Sequence, residues 1–354
     1  MTTTPWPDAV SPEQIAQRAK LTYVAEDAPG LSRRRCGRGF TYLDHAGRTL
    51  RDERERERIE ALAIPPAWTE VWISADPDGH VLATGRDDRQ RKQYRYHPRW
   101  DAERDRVKFE QLLAFGGTLP ALRRRIGRGL GRDRSDAEFV HCTAARLLDR
   151  TGIRVGHAEY AEDNGTVGLT TLQGRHVRVR GDRVELDFVG KGGTDISVQV
   201  DDARLAQAMA TLASGPRTLV FRFRAEGRRR PLDADGLNAW LRDAVDPGCS
   251  AKQFRTWRAT VAVIAHLAAE ERPAADGRSG RYLEAVDHAA DLLCNTRSVL
   301  RTSYLPPGLE ALYVEGPFDR VVEAARRQAS NDATTGRSTE ERLALPVLRW
   351  LVAA

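Results

Sequence analysis

Cysteine is scarce in this 354-residue chain: Cys36, Cys142, Cys249 and Cys294 are the only four. They stand far apart, with no C-x-x-C pair and no neighbouring histidine at zinc spacing, which argues against a structural zinc site or a disulfide framework. Long apolar runs are missing too, so a membrane span is not expected. There is no G-x-x-x-x-G-K-S/T loop, and Gly190-Lys191-Gly192 is too short to cradle phosphates. A tight carboxylate triad, the mark of a divalent-metal nuclease, is absent as well. The opening M-T-T-T-P-W-P-D has neither a basic leader nor an apolar core, so no signal peptide is expected. These absences leave the expectation of a soluble, cytoplasmic protein that needs no metal and no cofactor.

What is present is enough hydrophobic residue, 41%, for globular folding. The length exceeds one comfortable core, so two domains are expected, residues 1–97 and 98–354. Lys and Arg number 56 against 50 Asp and Glu, a net charge of +6. The excess is local, because residues 33–35, 123–132 and 222–230 are dense in arginine. Such clusters fit a polyanionic partner.

Texture changes along the chain. Residues 67–73 alternate as a strand should, and residues 80–84 pair with them across the turn Asp76-Pro77-Asp78-Gly79. Residues 51–62 read as a charged helix with Ile59 and Leu62 inward. Residues 85–100, G-R-D-D-R-Q-R-K-Q-Y-R-Y-H-P-R-W, mix cations, amide and phenols, which suits contacts in a DNA groove better than a plain solvated loop. Beyond them, residues 107–115, 137–148, 237–245, 254–267 and 286–293 carry helical periodicity. A β insert interrupts this helical body: residues 176–179 and 184–189 flank Gly181-Asp182, and residues 196–200 follow a second turn that holds Lys191. Residues 329–339 read as a linker before a last apolar segment, 343–352. The expected fold class is α+β, a small β-rich N-terminal domain joined to a larger, mostly helical domain with a three-stranded insert.

Three basic residues and one phenol stand out by their settings. Arg154 follows Thr151-Gly152-Ile153, where small and apolar neighbours suggest a fixed backbone aiming the guanidinium inward. Arg255 lies early in a helix, three residues after Lys252. Lys191 sits at a hairpin tip, which for most lysines means a solvated turn, but a tip can also deliver a long cation into a site. Tyr304 follows Asn295 by nine residues in N-T-R-S-V-L-R-T-S-Y. A phenol alone is a poor nucleophile near neutrality, since its ordinary pKa is about 10. Two guanidiniums around one phosphate would offset the charge of a pentavalent transition state, and a lysine could supply a proton to the departing oxygen. Asn295 could donate to the same phosphate or merely cap the following helix. Arg301 could be structural or help to hold the strand.

Taken together, these segments resemble type IB DNA topoisomerases of the compact, poxvirus-like bacterial kind. The resemblance runs from about Leu21 to Pro307 and rests on six stretches in the same order: residues 64–73, 85–100, 153–172, 187–193, 254–257 and 295–304. It implies a tyrosine recombinase/topoisomerase IB-like catalytic fold, double-stranded DNA as partner, and a monomer that clamps it, hinged near residues 98–103 and associated with the nucleoid. It implies relaxation of supercoils without ATP or metal, through Tyr304 joined to a DNA 3′-phosphate. Arg154 and Arg255 would clamp the phosphate, Lys191 would protonate the leaving 5′-oxygen, and Asn295 would stand where poxvirus enzymes carry histidine. Gln93, Tyr94, Tyr96, Tyr160 and Lys252 fall at DNA-contacting positions. The alternative is a tyrosine recombinase, which also begins with a T-G-x-R arginine and ends with tyrosine. That family, however, usually has histidine where this chain has Lys252, and a Gly-His pair where it has Cys294-Asn295.

Overall fold

The computed structural model describes residues 10–157, 165–330 and 336–353. Tyr160 and residues 331–335 of the linker expected at residues 329–339 therefore lie outside the described residues. The chain divides into two compact units, one of described residues up to Lys108 and one from Phe109 onward.

In the first unit, α1 (Pro12–Arg18) opens with a capping box: the Ser11 hydroxyl accepts from Gln14 N, and the Gln14 side chain accepts from Ser11 N. There follow β1 (Gly30–Cys36), β2 (Gly39–Leu43), α2 (Glu53–Ala61), β3 (Thr69–Ser74), β4 (Val81–Arg86) and β5 (Lys92–Tyr96). The strands form one antiparallel sheet in the order β2-β1-β3-β4-β5. β3 and β4 are the expected pair, with Ile73 opposite Ala83. Ile59 of α2 packs on the sheet beside Leu31, Val71, Ile73 and Ala83. A second cluster joins Ile15, Ala16, Leu21, Trp100 and Val107, with Tyr96 against it.

Helix α3 (Pro98–Gly129) is one continuous helix, and the division between the units falls inside it. The residues expected to hinge, 98–103, are its first turns. Pro120 lies within α3 and has no N–H to give the Gly116 carbonyl four residues back. Arg337 supplies the missing donor, with Nε 3.2 Å from Gly116 O and Nη2 3.1 Å from Gly117 O. A buried break in the helix ladder is thereby satisfied by a guanidinium.

The second unit continues with α4 (Ala137–Thr151), the meander β6 (Val177–Arg180), β7 (Arg183–Val189) and β8 (Asp195–Asp201), then α5 (Ala203–Leu212) and the hairpin β9 (Arg222–Ala225) and β10 (Arg228–Pro231). Helices α6 (Ala234–Ala244), α7 (Ala251–Ala269), α8 (Ala275–Leu292), α9 (Arg297–Tyr304), α10 (Leu309–Val314), α11 (Phe318–Ser330) and α12 (Thr339–Ala353) complete it. One core runs through this body, from Phe115 and Leu122 of α3 through Leu147, Phe254, Ile264 and Val286 to Leu300 and Val347. α12 is tied to it by Glu341, a buried carboxylate that accepts from both Nη atoms of Arg123 at 2.7 Å and from Trp257 Nε1 at 2.9 Å. The observed architecture is mixed α+β, small sheets beside a larger helical region. Among the described residues no helix is long and apolar enough to cross a membrane, and no group of three metal-ligating side chains is assembled.

Candidate active site

Each site residue is delivered by the end of an element. α4 stops at Gly152, whose backbone is left-handed (φ 62, ψ 22) and whose N–H bonds Leu148 O at 2.8 Å. The chain leaves that cap in a new direction, and Arg154 follows two residues on. Its own carbonyl is fixed by Leu169 N at 2.9 Å, and that of Val155 by Thr170 N at 2.8 Å. The backbone beneath the guanidinium is thus pinned on both sides.

Arg255 sits in the second turn of α7 and is only 6% exposed, not the helix-surface cation its neighbours in sequence suggest. Burial of a guanidinium is tolerated when its donors are satisfied, and these are. Nη1 donates to Gly152 O at 2.7 Å, and Nη2 to Leu293 O and, at 2.9 Å, to Asn295 Oδ1. Nε donates to the Tyr304 hydroxyl at 3.3 Å. Burial, and next the charge of Arg154, push Arg255 below the ordinary arginine value.

Asn295 lies between α8 and α9, held by its N–H to Ala290 O at 2.9 Å. It is not the cap of α9: that is Thr296, whose hydroxyl accepts from Val299 N. Oδ1 of Asn295 takes two guanidinium donors, Arg154 Nη2 at 2.7 Å and Arg255 Nη2. Because Oδ1 must face these donors, the amide orientation is determined, and Nδ2 is left buried without a partner among the described residues. A buried N–H with nothing to donate to is costly, and here it stands beside two cations. An anionic oxygen would satisfy all three.

Tyr304 is the last residue of α9 and is 9% exposed. Its carbonyl accepts from the buried Thr260 hydroxyl at 3.1 Å, so α7 fixes both ends of this residue, phenol and main chain. Lys191 lies in the turn between β7 and β8, where Gly192 (φ 79) and Gly193 (φ 77) allow the tight path. It is exposed, and it lines the same cleft as Arg154, Arg255 and Cys294. The structure therefore gathers Arg154, Lys191, Arg255, Asn295 and Tyr304 in one region of the second unit. Lys252 is exposed on the first turn of α7 and is not among the residues lining the cleft. Arg301 pairs with Glu310 at 2.6 Å on the surface.

In the first unit the expected DNA contacts split between two faces of β5. Tyr94 and Tyr96 stack with ring centres 5.5 Å apart, and Lys92 Nζ lies 5.4 Å from the Tyr94 ring. Gln93 alternates to the opposite face and donates to Asp87 Oδ2 at 2.9 Å. Tyr94 is the open one at 39% exposure, whereas Tyr96 is half-buried against Trp100.

Sequence reasoning missed Gly152, Thr260 and Leu293 as parts of the site. Gly152 had a signal, a glycine just past a helical stretch; the other two act through a carbonyl partner and had none. Gly152→Ala is expected to lower stability by about 1–2 kcal/mol from the left-handed backbone alone. Its Cβ would also fall 2.9 Å from Leu293 Cδ2 and 3.2 Å from Arg258 Cδ. A thermal melt measures the loss, and an unchanged midpoint would show that the cap relaxes freely.

Comparison with known proteins points the same way. Residues 90–311 match the family model of the eukaryotic DNA topoisomerase I catalytic core, and residues 39–87 match that of the bacterial DNA topoisomerase IB N-terminal domain. DNA topoisomerase 1B of Acanthamoeba polyphaga mimivirus is 26% identical over 307 residues, covering 81% of this chain and 88% of the viral protein. DNA topoisomerase 1B of vaccinia virus (strain Copenhagen) is 24% identical over 163 residues, 44% of this chain and about half (51%) of that protein. DNA topoisomerase 1 alpha of Arabidopsis thaliana is 25% identical over 162 residues, 45% of this chain and 17% of the plant protein. With a catalytic-core match spanning well over half its length, the chain belongs to the type IB DNA topoisomerase family.

Proposed function

We propose that the protein relaxes supercoiled duplex DNA by transient cleavage of one strand, without ATP or metal, and that Tyr304 is the nucleophile. The observation that carries this reading is the convergence of the Tyr304 hydroxyl, two guanidiniums and an amide N–H with no partner among the described residues, brought together from positions 154, 255, 295 and 304. Tyr304 Oη attacks the phosphorus and gives up its proton to water, forming a 3′-phosphotyrosyl bond while the bond to the 5′-oxygen breaks. Arg154, Arg255 and the Asn295 amide donate to the non-bridging oxygens, and Lys191 gives the departing 5′-oxygen its proton. Reversal of the same steps reseals the strand after rotation. The N–H of Arg255 on the phenolic oxygen offsets negative charge there as the proton leaves.

Within the family we assign the chain to the poxvirus-like bacterial kind, a reading supported by the bacterial N-terminal match over residues 39–87. It acts as a monomer on duplex DNA, with Tyr94 the best placed of the first unit's candidates to reach bases or backbone. Its substrate would hold it at the nucleoid. Relaxation of a supercoiled plasmid in EDTA without ATP tests the activity; a requirement for either metal or ATP would overturn it.

Asn295 offers a sharper check. Asn295→Ala should slow single-turnover cleavage about ten- to a hundredfold, the worth of one charge-assisted hydrogen bond. Asn295→Asp keeps the acceptor for both arginines, so the melting temperature should hold or rise. Cleavage should nevertheless fall further than in the alanine variant, because the donor is replaced by a negative charge facing the phosphate. A fast aspartate variant would remove Asn295 from phosphate binding.

A further inference from the structure

A groove of about 840 Å³ lies along α7 in the second unit, bounded by α4, α8 and the residues that open α12. That is the size of a small-molecule site. It shares Leu292 with the catalytic cleft, but none of Arg154, Lys191, Arg255, Asn295 or Tyr304 lines it. Arg258, Ala262 and His266 recur every four residues and so share one face of α7, with Val261 and Ala265 beside them. Between the guanidinium and the imidazole the floor is therefore small and apolar over about 12 Å, at 1.5 Å of rise per residue. His288 of α8 stands at the imidazole end, its ring centre 5.0 Å from that of His266.

Charge on the walls is almost balanced. Five arginines and three carboxylates line the groove, and Asp202, bound to both Arg146 and Arg150, supplies a fourth carboxylate, so one positive charge is in excess. Arg123 is held by Asp149 and Glu341, and Arg337 by the Gly116 and Gly117 carbonyls. Arg258, by contrast, makes no hydrogen bond or ion pair with any described residue, and its Nε is sealed from water. Burial pushes it below the ordinary arginine value, against the pull of Asp149. Such a guanidinium is costly to bury alone, and a carboxylate offers two oxygens that match its fork. A polyanion suits the groove poorly, because Asp149, Glu340 and Glu341 stand on the same walls. We propose that this groove binds a small amphipathic carboxylate, its head on Arg258 and its unbranched apolar body along α7 toward His266. The site uses no part of the cleavage chemistry, so it stands or falls apart from Tyr304.

Decanoate, a probe of matching length, is titrated into the full chain below its aggregation concentration and followed by calorimetry. One saturable site per chain is expected. Decanol and inorganic phosphate should each bind at least about tenfold more weakly, since one lacks the charge and the other the apolar body. Arg258→Met removes the charge but keeps a stem beside Gly152, where a Cβ would lie 3.2 Å from Arg258 Cδ. Its melting temperature should hold or rise, because a buried charge without a partner is gone, while decanoate affinity falls about tenfold or more. Ala262→Phe fills the groove midway without altering its charge, and it should abolish binding while the melting temperature holds. Absence of saturable binding to the wild type, equal binding of decanol or phosphate, or wild-type affinity in either folded variant would overturn the proposal.

Discussion

Tyr304→Phe is expected to abolish relaxation while DNA affinity stays within a few fold of wild type. The substitution removes one oxygen, the atom that forms the covalent bond, and no other group near it can replace that chemistry. It should not disturb the fold. Among the described residues the hydroxyl's one hydrogen-bond partner is Arg255 Nε at 3.3 Å, and Arg255 retains Gly152 O, Leu293 O and Asn295 Oδ1 when that bond is removed. The Thr260 bond reaches the main chain of Tyr304 and is untouched. Affinity for DNA comes mainly from phosphate contacts, which the variant keeps. A suicide duplex labelled on the 5′ side of the cut should place the adduct on Tyr304 in the wild type and nowhere in the variant. An adduct on a different tyrosine would end the assignment.

Lys191→Ala should slow cleavage by about 10²–10⁴, the usual contribution of a positioned proton donor. The lysine is exposed at a turn shaped by two left-handed glycines, so its removal leaves the packing intact and the melting temperature unchanged. Two roles are open to a cation at that place: giving a proton to the leaving oxygen, or offsetting phosphate charge. A substrate with a 5′-phosphorothiolate at the scissile bond separates them, because a thiolate departs without a proton. Rescue of Lys191→Ala by sulfur supports proton donation, and its absence would assign the lysine to electrostatics alone.

Legibility from sequence followed the physics of each segment. The meander was readable because Gly181-Asp182 is a strong turn signal between alternating strands, and the turn with Lys191 followed from it. β1 and β5 were not, since L-S-R-R-R-C and K-Q-Y-R-Y show no apolar alternation; β1 buries only Leu31, and β5 buries nothing fully. Helix cores were found but their ends were not: α3 extends from Pro98 to Gly129 through charged turns that favour helix without carrying a hydrophobic period. The linker expected at residues 329–339 is shorter than that at both ends: residues 329–330 close the helix Phe318–Ser330, and residue 339 opens α12, where Glu341 is anchored by Arg123, 218 positions away. In the site, Arg154, Lys191 and Tyr304 stood out through their settings. The burial of Arg255 could not be read locally, because the acceptors that permit it come from Gly152 and Leu293. The choice between Asn295 and Thr296 as cap was likewise decided by two distant guanidiniums competing for the amide.

The way Arg255 is held bears on how such a site can drift over time. Two of its acceptors are main-chain carbonyls, which no replacement of a side chain deletes. Position 293 can therefore change identity among apolar residues of similar size while still presenting the same oxygen. Tolerance is unequal along the clamp, however. At 152 the constraint falls on backbone conformation, so the residue is restricted although its side chain does nothing. Lineages that keep this chemistry should accordingly vary freely where the oxygen is offered by an ordinary peptide, and stay fixed where the peptide itself must turn the other way.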